Sequence, residues 1–202
     1  MKEADAQRCF SCHTTLSTDA DHFEPMSAIP GVTCEACHGP GAKHVQAARS
    51  GAGTGSTSDI MDPDRLTPVA AVDFCGACHR TWADVAFSGA SQHGVEVVRF
   101  QPYRLEKSRC WGKNGDARLT CTSCHDPHAP LQRDSSVYDM RCLACHVRRN
   151  EVVSPTKPGA ACPRAVDHCT TCHMPKITVP GMHGDFTDHF IRIAERNEAF
   201  PR

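Results

Sequence analysis

The stretch Cys121-Thr122-Ser123-Cys124-His125-Asp126-Pro127-His128 decides the reading of this chain, because the spacing of its first five residues recurs five more times. The pattern C-x-x-C-H stands at Cys9-Cys12-His13, Cys34-Cys37-His38, Cys75-Cys78-His79, Cys121-Cys124-His125, Cys142-Cys145-His146 and Cys169-Cys172-His173. Chance placement at this composition gives on the order of 0.1 such pentapeptides. Two cysteines three apart lie about one helical turn from each other, so both thiols reach the two vinyl groups on one porphyrin edge. The adjacent histidine is carried under the ring, where its imidazole becomes the proximal iron ligand. Six motifs therefore predict six covalently bound haem c groups.

Other uses of paired cysteines fit less well. Structural zinc on four thiolates gives no reason for a histidine after every second cysteine. A thioredoxin-like redox pair needs a surrounding βαβ pattern, and the apolar strands for one are missing. A disulfide framework gains little from cysteines three apart, since the loop they close is too short.

Working outward, the composition agrees with haem. The chain has 202 residues with 14 Cys, 13 His, and 14 each of Gly and Pro. Without its cysteines only about a third of the chain is apolar, and the aromatic residues are eight Phe, two Trp and two Tyr. Six haems amount to roughly one per 34 residues, so the porphyrins themselves are expected to form the hydrophobic core. The fold expected is mainly short α-helices and coil with little β, wrapped around a chain of stacked haems, with residues 1–202 as a single hexahaem domain. Lys plus Arg number 22 against 23 Asp plus Glu, so charge offers no case for nucleic acid. No apolar run approaches the roughly 18 to 20 residues of a membrane helix.

A closed haem iron needs a sixth ligand. Beyond the proximal six, the candidates are His22, His44, His93, His128, His168, His183 and His189, seven for six vacancies. Bis-histidine ligation throughout, with one spare histidine, is the expectation. His44, His128 and His168 lie close to motif residues in sequence and are poorly placed to cross their own porphyrin, so each is expected to cap a neighbouring haem. Methionine ligation by Met26, Met61, Met140, Met174 or Met182 ranks below this, because the histidines already suffice. Cys110 and Cys162 stand outside every motif and are expected to pair as a disulfide.

Successive motifs begin 25, 41, 46, 21 and 27 residues apart, which rules out a fixed-period solenoid. Short helices are expected to begin at most motifs and to stop at Gly39-Pro40-Gly41, Asp126-Pro127 and Met174-Pro175. Further short helices are expected over 43–50, 84–88 and 188–199, a flexible linker near 51–58, and a weak strand over 95–100.

The stretch Gly31-Val32-Thr33-Cys34-Glu35-Ala36-Cys37-His38-Gly39-Pro40-Gly41-Ala42-Lys43-His44 resembles the second haem site of cytochromes related to the tetrahaem electron acceptor of hydroxylamine oxidoreductase. Ser108-Arg109-Cys110, Leu119 to His128, Cys169-Thr170-Thr171-Cys172-His173-Met174-Pro175-Lys176 and Phe186-Thr187-Asp188-His189 resemble the multihaem module often fused to tetratricopeptide repeats. This resemblance covers most of the chain, though the sequence stops at Arg202 with no room for the repeats. It implies a periplasmic or extracellular electron-transfer protein with His44, His128 and His189 as distal ligands. It also implies export, so the signal absent from Met1 to Gln7 is expected to have been removed or to lie outside this sequence.

The resemblance reaches enzymes too. Multihaem nitrite reductases use a lysine as proximal ligand of the catalytic haem, and no C-x-x-C-K occurs here. Hydroxylamine oxidoreductases cross-link a tyrosine to theirs, and Tyr103 and Tyr138 read instead as packing residues. The first expectation is therefore an electron carrier or redox-complex subunit, working with a protein donor and acceptor and catalysing no reaction of its own. The second is a protomer of an extracellular conductive filament built by haem stacking across subunit junctions. The third is a nitrite- or hydroxylamine-type reductase with one open haem.

Overall fold

Each motif needs a helical turn to bring its thiols to one side, and all six have one. The computed structural model describes residues 2–19, 21–51, 60–87, 94–112, 115–182 and 184–194. These residues form short helices, coil and three two-stranded antiparallel pairs. The chain divides into two compact units, Met1–Leu66 and Thr67–Arg202. Most of the linker expected near 51–58 lies outside the described residues.

In the first unit, helix α1 (Glu3–His13) carries the first motif at its C-terminal end, with Glu3 and Asp5 in its first turn as the helix dipole favours. Strand β1 (Thr14–Leu16) follows at once, then β2 (Thr18–Asp19), β3 (His22–Phe23) and β4 (Ile29–Pro30). Strand β1 pairs with β4, and β2 pairs with β3. The Thr15 hydroxyl accepts from Thr33 N at 2.9 Å and donates to Gly31 O at 2.8 Å, and so ties the run into the second motif to β1. Helix α2 (Cys34–His38) stops where expected. Gly39 takes φ +71°, which only glycine adopts freely, and donates its N–H to Glu35 O. Helix α3 (Ala42–Arg49) matches the expected 43–50 helix to within a residue. No described side chain of this unit is buried.

The second unit starts with α4 (Pro68–His79), where Thr67 caps Ala70 N and Pro68 occupies the first helical position. Helix α5 (Trp82–Phe87) begins with a reciprocal cap: Thr81 N donates to Asp84 Oδ2 at 2.9 Å, and Asp84 N donates to Thr81 Oγ1 at 3.1 Å. Gly76 stands between the two cysteines of its motif because a Cβ there would meet Thr81 Cγ2 at 2.6 Å. Then come α6 (Gln101–Glu106), α7 (Cys121–Cys124), α8 (Ser136–Leu143), α9 (Cys169–His173), β5 (Lys176–Thr178) and β6 (Asp185–Thr187). Strands β5 and β6 form a hairpin with Ile177 opposite Phe186. The long interval between the third and fourth motifs supplies most of two small polypeptide cores, with Val72 of α4 joining the first. One joins Val72, Leu105 and Trp111, and the other joins Val85, Val97 and Tyr103.

Three expectations of local structure are corrected. Helices α2, α7 and α9 begin at a motif, whereas α1, α4 and α8 begin earlier because helix-compatible residues precede their cysteines. The stretch 95–100 is no strand: Val95–Arg99 forms a 3-10 helix, with both Val97 and Val98 fully buried. Its β-branched residues suit a pleated surface, but β propensity acts only where a neighbouring strand offers a ladder, and α6 follows immediately instead. Residues 188–194 are coil, because their N–H groups go to other partners. Phe190 N donates to Asp188 Oδ1, Ile191 N to Ser108 Oγ and Arg192 N to His173 O. The remainder of the expected 188–199 helix lies outside the described residues.

Candidate haem-binding sites

The first motif ends α1 and the second forms α2, so His13 and His38 belong to one unit together with the candidates His22 and His44. His22 is exposed on β3 opposite Asp19, and His44 is half-buried on α3. In the second unit the four motifs follow one another in space as they do in sequence. The Cys75 and Cys121 thiols hydrogen-bond to each other, and so do those of Cys142 and Cys169. Helix α7 packs on α4 and α8, and α8 packs on α9. The shared hydrogen bond pulls the Cys75 thiol down to about 7 and pushes Cys121 up, with burial adding to the latter. Burial, helped by the Asp139 carboxylate, pushes Cys169 up to about 12. A haem attached at these sulfurs would make them thioethers, and what would persist is their adjacency.

The donor set fits haem on three observations. The first is the common orientation of the histidines. A backbone carbonyl can only accept, so a ring Nδ1 bonded to one must carry the proton, which leaves the Nε2 lone pair for iron. His38 is held this way by Met61 O at 2.8 Å, His146 by Ala160 O at 3.0 Å and His173 by Arg192 O at 2.7 Å. The second is a glycine against the fifth motif: a Cβ on Gly159 would meet the His146 ring at 2.5 Å. The third is a carboxylate cap on the sixth. Buried Asp139 of α8 accepts from His168 N at 2.7 Å and Cys169 N at 2.9 Å, satisfying the start of α9. Burial pushes the Asp139 carboxyl up, but these backbone hydrogen bonds outweigh it and hold the group low.

Among the distal candidates of this unit, His128 points outward beside Asp126, with 77% of its side chain exposed. His168 is exposed, with φ +50° and its Nδ1 at 3.4 Å from Ser135 Oγ. His189 is drawn inward and faces His125, their ring centres 6.1 Å apart. Desolvation pushes His189 down to about 4 and lowers His125 as well, so both are neutral imidazoles at ordinary pH. His93 and His183 lie outside the described residues. Tyr103 is buried beneath Lys107, and Tyr138 donates its hydroxyl to Gln132 O at 3.0 Å, edge-on to His125.

The expected disulfide is absent: Cys110 and Cys162 are separate thiols. Their surroundings differ. Burial pushes Cys110 up, and the thiols of Cys124 and Cys145 lie near it, whereas the N–H groups of Ala165 and Arg164 draw the Cys162 thiol down. Asp139, Gly159, Arg104 and Asp188 were not singled out as site residues from sequence. Only Asp188 left a signal, as the neighbour of His189 in Phe186-Thr187-Asp188-His189.

Among the described residues, no three His, Cys, Asp or Glu side chains gather into a cage for a bare metal ion, and no helix is long and apolar enough to cross a membrane. The family profile for cytochrome c554 and c-prime matches residues 1–39, which hold the first two motifs. The chain is 25% identical over 186 residues to the multiheme cytochrome MtrA of Shewanella baltica (strain OS185), an alignment covering 85% of this chain and 53% of that protein. It thus spans about half the length of the curated relative it matches. No solved structure matches it. With its repeated C-x-x-C-H motifs, the chain is a multihaem c-type cytochrome, and its cofactor is haem c.

Proposed function

We propose that this chain conducts electrons through six covalently attached haems, all bis-histidine ligated, as a periplasmic or extracellular carrier or redox-complex subunit serving a protein donor and a protein acceptor. The observation that carries the reading is the unbroken adjacency of the four motifs in the second unit, Cys75 to Cys121, α7 to α8, and Cys142 to Cys169. Attachment sites that touch oblige the porphyrins they hold to lie close, which is what transfer from one to the next requires. Each haem iron supplies a one-electron couple, and the axial ligands and burial set its potential over a range of about 0.8 V. The polypeptide spaces the haems, orients the imidazoles through backbone carbonyls, and excludes water.

Histidine bookkeeping supports full bis-histidine ligation within each unit. The first has two proximal histidines and two candidates, His22 and His44. The second has four proximal histidines and five candidates, His93, His128, His168, His183 and His189, so the spare histidine falls there. On this reading residues 1–202 act as one hexahaem conductor and catalyse no reaction.

Intact mass and electron paramagnetic resonance of the oxidised protein test the proposal. Six attached haems and a purely low-spin ferric spectrum are expected. A stoichiometric high-spin iron would instead point to the nitrite- or hydroxylamine-type reductase. Negative-stain electron microscopy separates the two kinds of conductor: discrete particles are expected for a carrier, and long filaments with a regular repeat for the conductive filament.

A further inference from the structure

We propose that His189 is the distal iron ligand of the haem carried on Cys121, Cys124 and His125, an assignment that rests on the bis-histidine reading above. Taking a metal–imidazole bond of about 2 Å, as for zinc, and a ring nitrogen about 1 Å from its ring centre, two imidazoles on one metal would have centres about 6 Å apart. The His125 and His189 centres are 6.1 Å apart with 39° between the ring planes. His189 Nδ1 donates to Thr187 O at 3.0 Å, the device that orients His38, His146 and His173, and it leaves Nε2 as the ligating atom.

The backbone on both sides of His189 is anchored. Asp188 is fully buried and takes a bidentate fork from Arg104, Nε at 2.8 Å and Nη2 at 2.7 Å, and a third bond from Arg192 Nη1 at 2.8 Å. Asp188 N donates to Pro175 O at 3.0 Å, and Ser108 Oγ donates to His189 O at 3.2 Å. A fully buried carboxylate held by two guanidiniums requires close geometry, and the geometry it imposes is that of the next residue. His128 is the rival nearest in sequence, and it faces outward beside Asp126.

The test uses the haem-loaded protein. His189→Gly is expected to retain every attached haem by mass, to turn one haem equivalent per chain from low-spin to high-spin, and to recover the low-spin signal when imidazole is added. Adding Cys121→Ser and Cys124→Ser should remove that high-spin signal together with its haem. No new high-spin iron in His189→Gly, or one that persists after the Cys121/Cys124 haem is gone, overturns the assignment. His189→Met is the second variant, for use if the glycine form does not fold; it should stay six-coordinate and raise one reduction potential, and unchanged potentials count against the proposal. The wild-type spectrum judges the bis-histidine reading separately: if it already contains a high-spin iron, that reading fails, and the assignment of His189 is decided by whether His189→Gly adds one further equivalent.

Discussion

The two units of this cytochrome solve the same packing problem differently. Residues 1–66 carry two motifs and bury no described side chain, and their contacts include short strand pairs, the Thr15 and His38 hydrogen bonds and the edge-on Phe10–Phe23 rings. Residues 67–202 carry four motifs and also bury Val72, Val85, Val97, Val98, Tyr103 and the Arg104–Asp188 pair. The difference follows from spacing. The third and fourth motifs begin 46 residues apart, enough chain to build a helical layer with its own apolar interior, whereas the first two begin 25 apart and the chain between them makes only two short strand pairs and a turn. Where the polypeptide makes no core, the haems have to be the core.

The largest expected effect tests that contrast directly. Cys34→Ser with Cys37→Ser removes one haem from the first unit, and hydrogen exchange should then lose protection throughout residues 14–49. Cys142→Ser with Cys145→Ser removes one haem from the second and should leave the amides of Val97, Val98 and Tyr103 protected. Equal loss in both units would break the comparison. A middle-sized effect sharpens it. Val97→Ala should cost about 2 kcal/mol in chemical denaturation of the haem-loaded protein, whereas Leu16→Ala, at a site already 51% exposed, should stay within about 0.5 kcal/mol.

The smallest effect separates the core of the second unit from its surface. Hydrogen bonds from Arg118 hold the Asp116 carboxyl down to about 2. A carboxyl lowered on folding stabilises the protein above its unfolded value of about 3.9 and loses that contribution as pH falls toward the folded value. The pair is solvent-exposed and screened, so the change in stability should be slight. Arg118→Gln should raise the Asp116 carboxyl part of the way toward the ordinary carboxylate range in a pH titration followed by NMR, because the residue-118 N–H at 2.9 Å stays in place, and no rise at all would show that the guanidinium is not the main cause.

The class of protein and its haem c cofactor were legible in the residues, because the C-x-x-C-H spacing is local and no tertiary context alters it. Helix ends were legible at Gly39, where a positive φ is needed, and at Pro127 and Pro175, where a proline follows closely. The 95–100 stretch was misread because its β-branched residues signal burial and not a partner strand. The 188–194 coil was misread because its N–H groups find distant acceptors, Ser108 and His173 among them, that no periodicity reveals. Asp139 and Gly159 were silent for the same reason: Asp139 acts on His168 and Cys169, 29 and 30 residues on, and Gly159 lies against His146, 13 residues back.

Six C-x-x-C-H pentapeptides and a surplus of further histidines are properties of sequence alone, since their spacing is local. Which motifs touch, which histidine meets which ring, and where the polypeptide supplies its own core were decided only on folding. Those relations join residues far apart along the chain, Cys75 to Cys121, His125 to His189 and Arg104 to Asp188, and only packing sets the distance between them.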